Sequence, residues 1–263
     1  DATFFSNLDP NSIESISFLK DAASSAIYGS RAAYGVVLVT TKAGKEEKTS
    51  VSYSGFVGVK MPTYLPDLVN SAEYATLLNE AMYNRNPSGG WNQAYTDEEI
   101  GWFRDGSRPD YYPNTDWIDL TMDKHVLTTQ HSINVSGGTK KLRYYIGGGY
   151  LYDDKFTRGQ DSRRYNLNMN VTSDVTDWLS VSGGMKYIRN ENKTEHGVPS
   201  IINYLLVPST MVAQQSDGNW GSIAGGKQAT ISFITGNPLR AMNSDNWNNS
   251  SFENSMYNLS IDI

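Results

Sequence analysis

The 263-residue chain has no cysteine, which removes a disulfide framework, a thiolate metal site and a cysteine nucleophile at one stroke. Positive charge is also short. The 22 Lys and Arg face 28 Asp and Glu, a net of −6, so the basic stripe that phosphate contacts need is missing and no nucleic-acid partner is expected. No apolar run approaches the ~18 residues of a transmembrane helix. A membrane β-barrel leaves no such peak, because its strands alternate, and that class stays open. The first eight residues lack the basic start and apolar stretch of a signal peptide. Three histidines (His125, His131, His196) make no convincing metal centre, and no cofactor is expected.

Charged residues make up 19%, whereas tyrosine (17), tryptophan (6) and glycine (23) are plentiful. A surface so poor in charge has to be covered by something other than water. Residues 15–42 read as a compact βαβ unit: a strand at 15–20, a helix from 22 to about 28 capped by Asp21 and stopped by Gly29, and a β-branched run at 36–41. That run suits a strand buried on both faces. The charged, glycine-containing stretch 42–48 marks a domain boundary.

Beyond it the period becomes two. Val51, Tyr53, Gly55, Val57 and Val59 alternate with mostly Ser and Gly, and Tyr165, Leu167, Met169 and Val171 alternate with Asn and Thr. Segments 127–135, 142–152, 179–187 and 257–263 follow the same rule, the last barely formed. Complete segments are roughly 9 to 11 residues, enough to cross a bilayer at a tilt. Tight turns are expected at 137–140 and 173–177, and long connections at 61–125, 153–163 and 190–252. Long and short alternate, which puts every long loop at one end of the sheet, as in membrane barrels.

In the first long loop, Asn70 with Glu73 and Thr96 with Glu99 form capping boxes. Tyr74, Leu77, Leu78, Ala81 and Met82 make a stripe at helical spacing. The loop is either a docking surface or an ordinary α+β insertion. The polar strand positions carry Asn, Ser, Thr and Gly where a water-facing sheet usually shows Lys and Glu. Such groups suit packed protein or a confined lumen, or else a soluble sandwich with a mild surface.

Several chemical motifs fail on inspection. Residues 221–228 almost spell a phosphate-binding loop but end in Gln228 where a Ser or Thr must hold Mg²⁺. Asn134 and Asn170 match the glycosylation pattern yet lie inside strands. The Asp153/Asp154 and Asp174/Asp177 pairs sit in turns, where Asp bonds its own backbone, and no opposed carboxylate pair stands out. His131 shares a face with Ile133 and Val135 and reads as structural. Loop aromatics (Trp91, Tyr95, Trp102, Tyr111, Tyr112, Trp117, Trp220 and Trp247) can stack on sugars, anchor a partner or pack the loops together. Trp91, Trp102, Tyr111, Tyr112 and Trp117 are the ligand-binding candidates.

One stretch carries a specific resemblance. Ile16-Ser17-Phe18-Leu19-Lys20-Asp21, followed by Ala26-Ile27-Tyr28-Gly29-Ser30-Arg31-Ala32-Ala33-Tyr34-Gly35 and Val36 through Thr41 and Lys42, resembles the end of the plug domain in SusC/RagA-type TonB-dependent outer-membrane transporters of the Bacteroidetes. Phe18 and Tyr34 depart from the usual smaller or polar residues. Asn70 to Ala81, Asn114-Thr115-Asp116-Trp117, Ser136-Gly137-Gly138 and Arg164-Tyr165-Asn166-Leu167 extend the likeness. Residues 197–250 are the least similar.

The resemblance implies a fold and a role. The fold is mainly β, a transmembrane antiparallel β-barrel, here partial with about six strands, preceded by the C-terminal part of an α+β plug. Residues 1–48 are expected to be plug and 49–263 barrel with long extracellular loops. Leu19, Lys20, Asp21, Tyr28, Gly29, Arg31, Gly35, Thr41 and Lys42 would form the plug motif. The implied activity is import of oligosaccharides or peptides, with a SusD-like surface lipoprotein and with TonB acting through a segment outside this chain. The chain would be membrane-embedded in the bacterial outer membrane and not an enzyme. Six strands cannot close around a plug, so the chain is expected to be part of a longer protein. The competing expectation is a secreted or surface carbohydrate-binding β-domain without transport activity.

Overall fold

A computed structural model describes residues 7–20, 26–29, 35–195, 205–221, 237–244 and 247–263. The leading strands β1 (Ile13–Leu19) and β2 (Val36–Thr41) pair antiparallel, Ile16 opposite Val39 and Phe18 opposite Val37. This corrects the βαβ expectation, whose two strands would run parallel. The chain reverses through glycines: Gly29 has φ 77° and Gly35 φ 97°, conformations that suit only a residue without Cβ. Residues 26–28 form a 3₁₀ turn, and the expected cap Asp21 and Arg31 lie outside the described residues. Nor is β2 buried on both faces. Val37 and Leu38 are 48% and 41% exposed, because among the described residues β1 is its only neighbour in this two-stranded sheet.

The second sheet holds β3 (Glu47–Lys60), β4 (Val126–Gly138), β5 (Leu142–Asp154), β6 (Asp161–Thr176), β7 (Leu179–Glu195) and β8 (Trp247–Asp262). Each strand pairs with its sequence neighbour, and the sheet is open at β3 and β8. The strands run from 13 to 17 residues, longer than expected. β8 is fully formed at 16 residues, and β3 already includes Glu47 and Lys48. Three connections also shift, the turn expected at 137–140 being Thr139-Lys140-Lys141 because Gly137 and Gly138 end β4. The β6–β7 turn is Asp177-Trp178, and the β5–β6 connection shrinks from the expected 153–163 to residues 155–160. The third long connection runs from 196 to 246, within the expected 190–252.

Register sorts the side chains onto two faces. The row Val51–Val135–Ile146–Met169–Met185–Tyr257 is apolar on all six strands. On this face Val51, Tyr53, Val57, Val59, Tyr257, Leu259 and Ile261 are 59–73% exposed. Apolar area left out on this scale costs about 25 cal/mol per Å² in water, and lipid removes that cost. The row through Val57 behaves differently. It passes Thr129 and Tyr152 and ends at Arg163, Glu191 and Ser251. The apolar band therefore drifts along the strands, from 51–59 on β3 to 257–263 on β8. A horizontal bilayer crossed by tilted strands gives that drift, since rows at right angles to the strands climb out of the slab.

One lipid-facing polar pair is internally satisfied. Tyr53 and His131 share a hydrogen bond of 2.7 Å between Oη and Nδ1, with the rings stacked. A Cβ at Gly55 would stand 2.6 Å from the Tyr53 hydroxyl, so the ring can lie there only over glycine. His131 thus has the structural role read from its neighbours.

Helices α1 (Ser71–Arg85), α2 (Asp97–Asp105) and α3 (Trp117–Thr121) lie in the β3–β4 connection, and α4 (Pro238–Met242) lies between β7 and β8. Both capping boxes form as read: Asn70 and Glu73 exchange bonds at 3.0 Å each way, and Thr96 and Glu99 do so at 3.2 and 2.8 Å. The inward face of α1 is rotated from the expected stripe. Ala72, Ala75 and Asn79 are buried, Leu78 and Met82 pack beside them, and Leu77 is 51% exposed. Asn79 causes the rotation. Its amide donates to the Tyr95 carbonyl at 2.6 Å and accepts from Ala94 and Tyr95 N–H at 2.8 and 2.9 Å, tying the helix to the approach to α2.

Candidate functional site

The opposite, polar face of the sheet receives the leading segment. Asp9 is 5% exposed and accepts from Ser132 Oγ at 2.8 Å and from Gln130 Nε2 at 3.3 Å, both on β4. Asn11 Nδ2 donates to the same Ser132 hydroxyl at 3.1 Å. On β6, Asn166 donates to the Asn7 carbonyl at 2.8 Å and Asn170 to the Lys42 carbonyl at 2.9 Å. Lys42 N–H in turn donates to the Ser12 carbonyl at 2.9 Å. One end of the β1–β2 pair, where β1 starts and β2 finishes, is thus held against the wall. Small uncharged polar residues suit this face because a buried amide or hydroxyl pairs with backbone at modest desolvation cost, whereas a charge demands a partner. Gly149 completes the fit, since a Cβ there would come within 2.7 Å of Asp9 Oδ2.

At the other end of the strands the connections converge on α3. Trp117 is 1% exposed, donates from Nε1 to the Pro208 carbonyl at 3.0 Å, and packs with Val207 and Met211. Thr115 adds a hydroxyl bond to the Met211 carbonyl at 2.7 Å and an N–H bond to the Ser209 carbonyl at 2.9 Å. The β5–β6 connection joins the same helix, with Arg158 N–H donating to Thr121 at 3.0 Å and Arg158 Nε meeting Asp123 at 3.0 Å. Asn237 then caps α4 while its amide donates to the Ala213 and Gly221 carbonyls at 2.6 and 2.9 Å. Three connections form one platform.

Electrostatically this platform is acidic. Residues 61–125 hold 11 Asp and Glu against 4 Lys and Arg, a net of −7, so the rest of the chain sums to about neutral. Hydrogen bonds from the Ser216 hydroxyl and N–H hold the Asp110 carboxyl below its usual range and fasten the first connection to the third. The Ser107 hydroxyl and N–H lower Asp105 in the same way. Burial, then the 3.1 Å bond to Glu99, pushes the Tyr112 phenol up. A cavity of about 510 Å³ opens beside α3, with Leu68, Val69, Tyr74 and Leu206 among its apolar walls and Asp67 and Asn114 among its polar ones.

The five aromatic candidates are not brought to one place. Trp117 is core. Trp102 meets the tilted Tyr112 ring at 4.8 Å and the Arg108 guanidinium at 3.9 Å. Trp91 leans on Tyr83 with 45% of its surface exposed, and Tyr111 is 76% exposed. Tyr95 is buried against Phe103, and Trp247 lies under Lys193 at 4.4 Å. Sequence reasoning missed the docking of 205–221 onto Trp117, which no local motif signals. It missed Asp9 too, whose local signal is the Asp9-Pro10 step of a capped turn, with Asn11 N–H on its carboxylate at 3.0 Å. Of the carboxylates expected in turns, Asp153 and Asp154 lie in β5 and Asp174 in β6; Asp174 takes Arg143 at 2.9 and 3.0 Å, and Asp153 takes Lys60 and Lys155 at 2.6 and 2.8 Å. Among the described residues no three His, Cys, Asp or Glu side chains converge as metal ligands. His196 and most of the 221–228 glycine-rich stretch lie outside them.

An open antiparallel wall with one lipid-facing side, a polar side that seats a small β segment, and joined loops at one end is part of a plugged outer-membrane β-barrel. Its sequence is similar to those of TonB-dependent receptors, and its fold to that of the RagAB peptide importer. The chain is 28% identical over 237 residues to the TonB-dependent receptor SusC of Bacteroides thetaiotaomicron, covering 89% of this chain and 21% of that protein. It is 28% identical over 217 residues to the TonB-dependent receptor P26 of Formosa agariphila, covering 81% and 20%. The RagAB peptide importer matches in its closed-closed state with TM-score 0.63 and 22% identity over 84% of this chain and 27% of that one. The open-open state gives 0.63 and 20% over 92% and 29%. The chain thus spans about a fifth of the curated relatives it matches. No family model matches it.

Proposed function

We propose that this chain supplies plug and wall to a TonB-dependent importer of oligosaccharides or peptides across the outer membrane, working with a SusD-like lipoprotein. Residues 1–48 are the plug part and 49–263 the barrel part, with the Leu19-to-Lys42 motif structural. The carrying observation is the seat of the leading segment: Asp9, Asn11 and Lys42 bond to β4 and β6 on the face opposite the lipid-facing row. The platform around α3 lies where a lid would close, and exposed Trp91 and Tyr111 are offered as its contacts. The relatives are receptors and an importer, which supports transport over catalysis. A secreted carbohydrate-binding domain would have to hold Val51, Val57 and Leu259 in water at 66–73% exposure, and nothing favours it.

The test is uptake by cells carrying or lacking the full-length protein. Labelled oligosaccharide and peptide pools should accumulate only with the protein and an intact TonB system, and affinity purification in detergent should bring down a surface lipoprotein. Uptake indifferent to TonB, or a detergent-independent soluble protein, would overturn the proposal.

A further inference from the structure

Asn168 on β6 is 6% exposed, and neither its amide oxygen nor its amide nitrogen has a hydrogen-bond partner. Buried side-chain amides are rarely left so, because an unmet donor or acceptor forfeits the bond it made to water in the unfolded chain. The residue lines a void of about 10 Å³ where the leading segment meets the wall, and Asp9, Ser12 and Lys186 line it too. Asp9 Oδ2 takes one hydrogen bond, from Ser132, and keeps acceptor capacity. The Ser12 hydroxyl is committed to the Asp9 carbonyl at 2.7 Å.

We propose that one ordered water occupies this void and joins plug to wall, donating to Asn168 Oδ1 and the Asp9 carboxylate and accepting from Asn168 Nδ2 or Lys186. Size and chemistry converge on that occupant. A single water needs about 10–15 Å³ and two to four polar partners, and this void offers both, with no room for a sugar or a peptide group. A metal cation fits poorly, because Lys186 brings positive charge to the same void and Asp9 already receives Asn11, Gln130 and Ser132. Asn168 is then a positioning residue for the plug, acting on Asp9 through solvent.

The experiment is a structure of the full-length protein at a resolution that shows ordered water. A peak within hydrogen-bond distance of the Asn168 amide and the Asp9 carboxylate is expected, lost in Asn168→Leu. A well-ordered seam with no peak overturns the proposal, as does a peak with the short contacts of a cation, about 2.0–2.6 Å. Melting temperature gives a second reading: Asn168→Leu should lower it if the amide is bridged, and a rise would mean the amide is orphaned. Should that variant fail to assemble, X-ray hydroxyl-radical labelling of the native protein decides. Water at the seam should mark Ile188 despite its 1% exposure, and an unmarked Ile188 counts against it. None of these readings depends on uptake, so failure of the import proposal leaves them intact.

Discussion

Ser132 Oγ donates to Asp9 Oδ2 at 2.8 Å across the line between the leading segment and the barrel wall, and the two residues are 1% and 5% exposed. Removing the carboxylate strands the Ser132 and Gln130 donors at a buried site, a loss of about 1–3 kcal/mol. Asp9→Ala in the full-length protein should therefore loosen the plug. Gly149→Ala should do the same by pushing Asp9 away, since the added Cβ would stand 2.7 Å from its oxygen. Protease nicking near residues 7–12 and entry of a bulky antibiotic into cells measure this. Unchanged nicking in both variants would mean that Asp9 is not an anchor.

Trp117 is the mechanical centre of the loop platform, buried against Val207 and Met211 with its indole N–H on the Pro208 carbonyl. Phe or Trp to Ala in a core costs about 3–5 kcal/mol. Here the cost should fall on the loops. In Trp117→Ala, residues 205–221 should become protease-sensitive while the barrel keeps its resistance to detergent unfolding. A variant that loses barrel resistance as readily as loop protection would refute the division between platform and wall.

How far the chain could be read before folding depended on whether a feature was local. Strand period, the two capping boxes and the left-handed Gly29 are set by neighbours within a few residues, and each appears as read. The faces of the sheet were legible for the same reason, because a strand needs only alternation. Pairing direction was not: β1 and β2 look alike whether parallel or antiparallel. The stripe on α1 misled because Asn79, a polar residue, takes a core position through three backbone bonds made far along the chain. Asp9 shows locally only as the cap before Pro10, bonded to Asn11 N–H; its bonds to Gln130 and Ser132, like the docking of 205–221, reach 91 to 123 residues along the chain, and no periodicity announces them.

The Asp110 tether should survive mild acid. Its carboxyl is lowered below the usual 3.8 by the Ser216 bonds. A group lowered in the folded state stabilises at pH above its unfolded value and loses that contribution as pH falls through the folded one. Contact between the first and third connections should then be constant from neutral pH to about pH 4 and loosen only below it. Spin labels at Tyr111 and Asp217, both on the exposed surface, would report the distance. Asp110→Ala should lengthen it at every pH. A native distance that grows already near pH 6 would show that some other group controls the docking.

Strand tilt makes a sharper claim about the membrane than burial alone. Val57 and Glu191 lie in one register row, yet Val57 is surrounded by the apolar band on β3, while Glu191 sits above it on β7 beside Arg189. If the rows were parallel to the bilayer, lysine at either position would meet the same depth and cost the same. With tilted strands, Val57→Lys places a charge near the midplane, where it costs about 2–4 kcal/mol, and Glu191→Lys stays near the interface at about 0–1 kcal/mol. Denaturant titration of the full-length barrel refolded into vesicles would separate the two. The difference should shrink for Val51→Lys against Tyr257→Lys, because that row is apolar from β3 to β8 and each of the two positions lies at an end of the apolar band on its strand. Equal costs for the Val57 and Glu191 variants would remove the tilt and, with it, the reason that the charged Arg163 on β6 and Glu191 on β7 face outward.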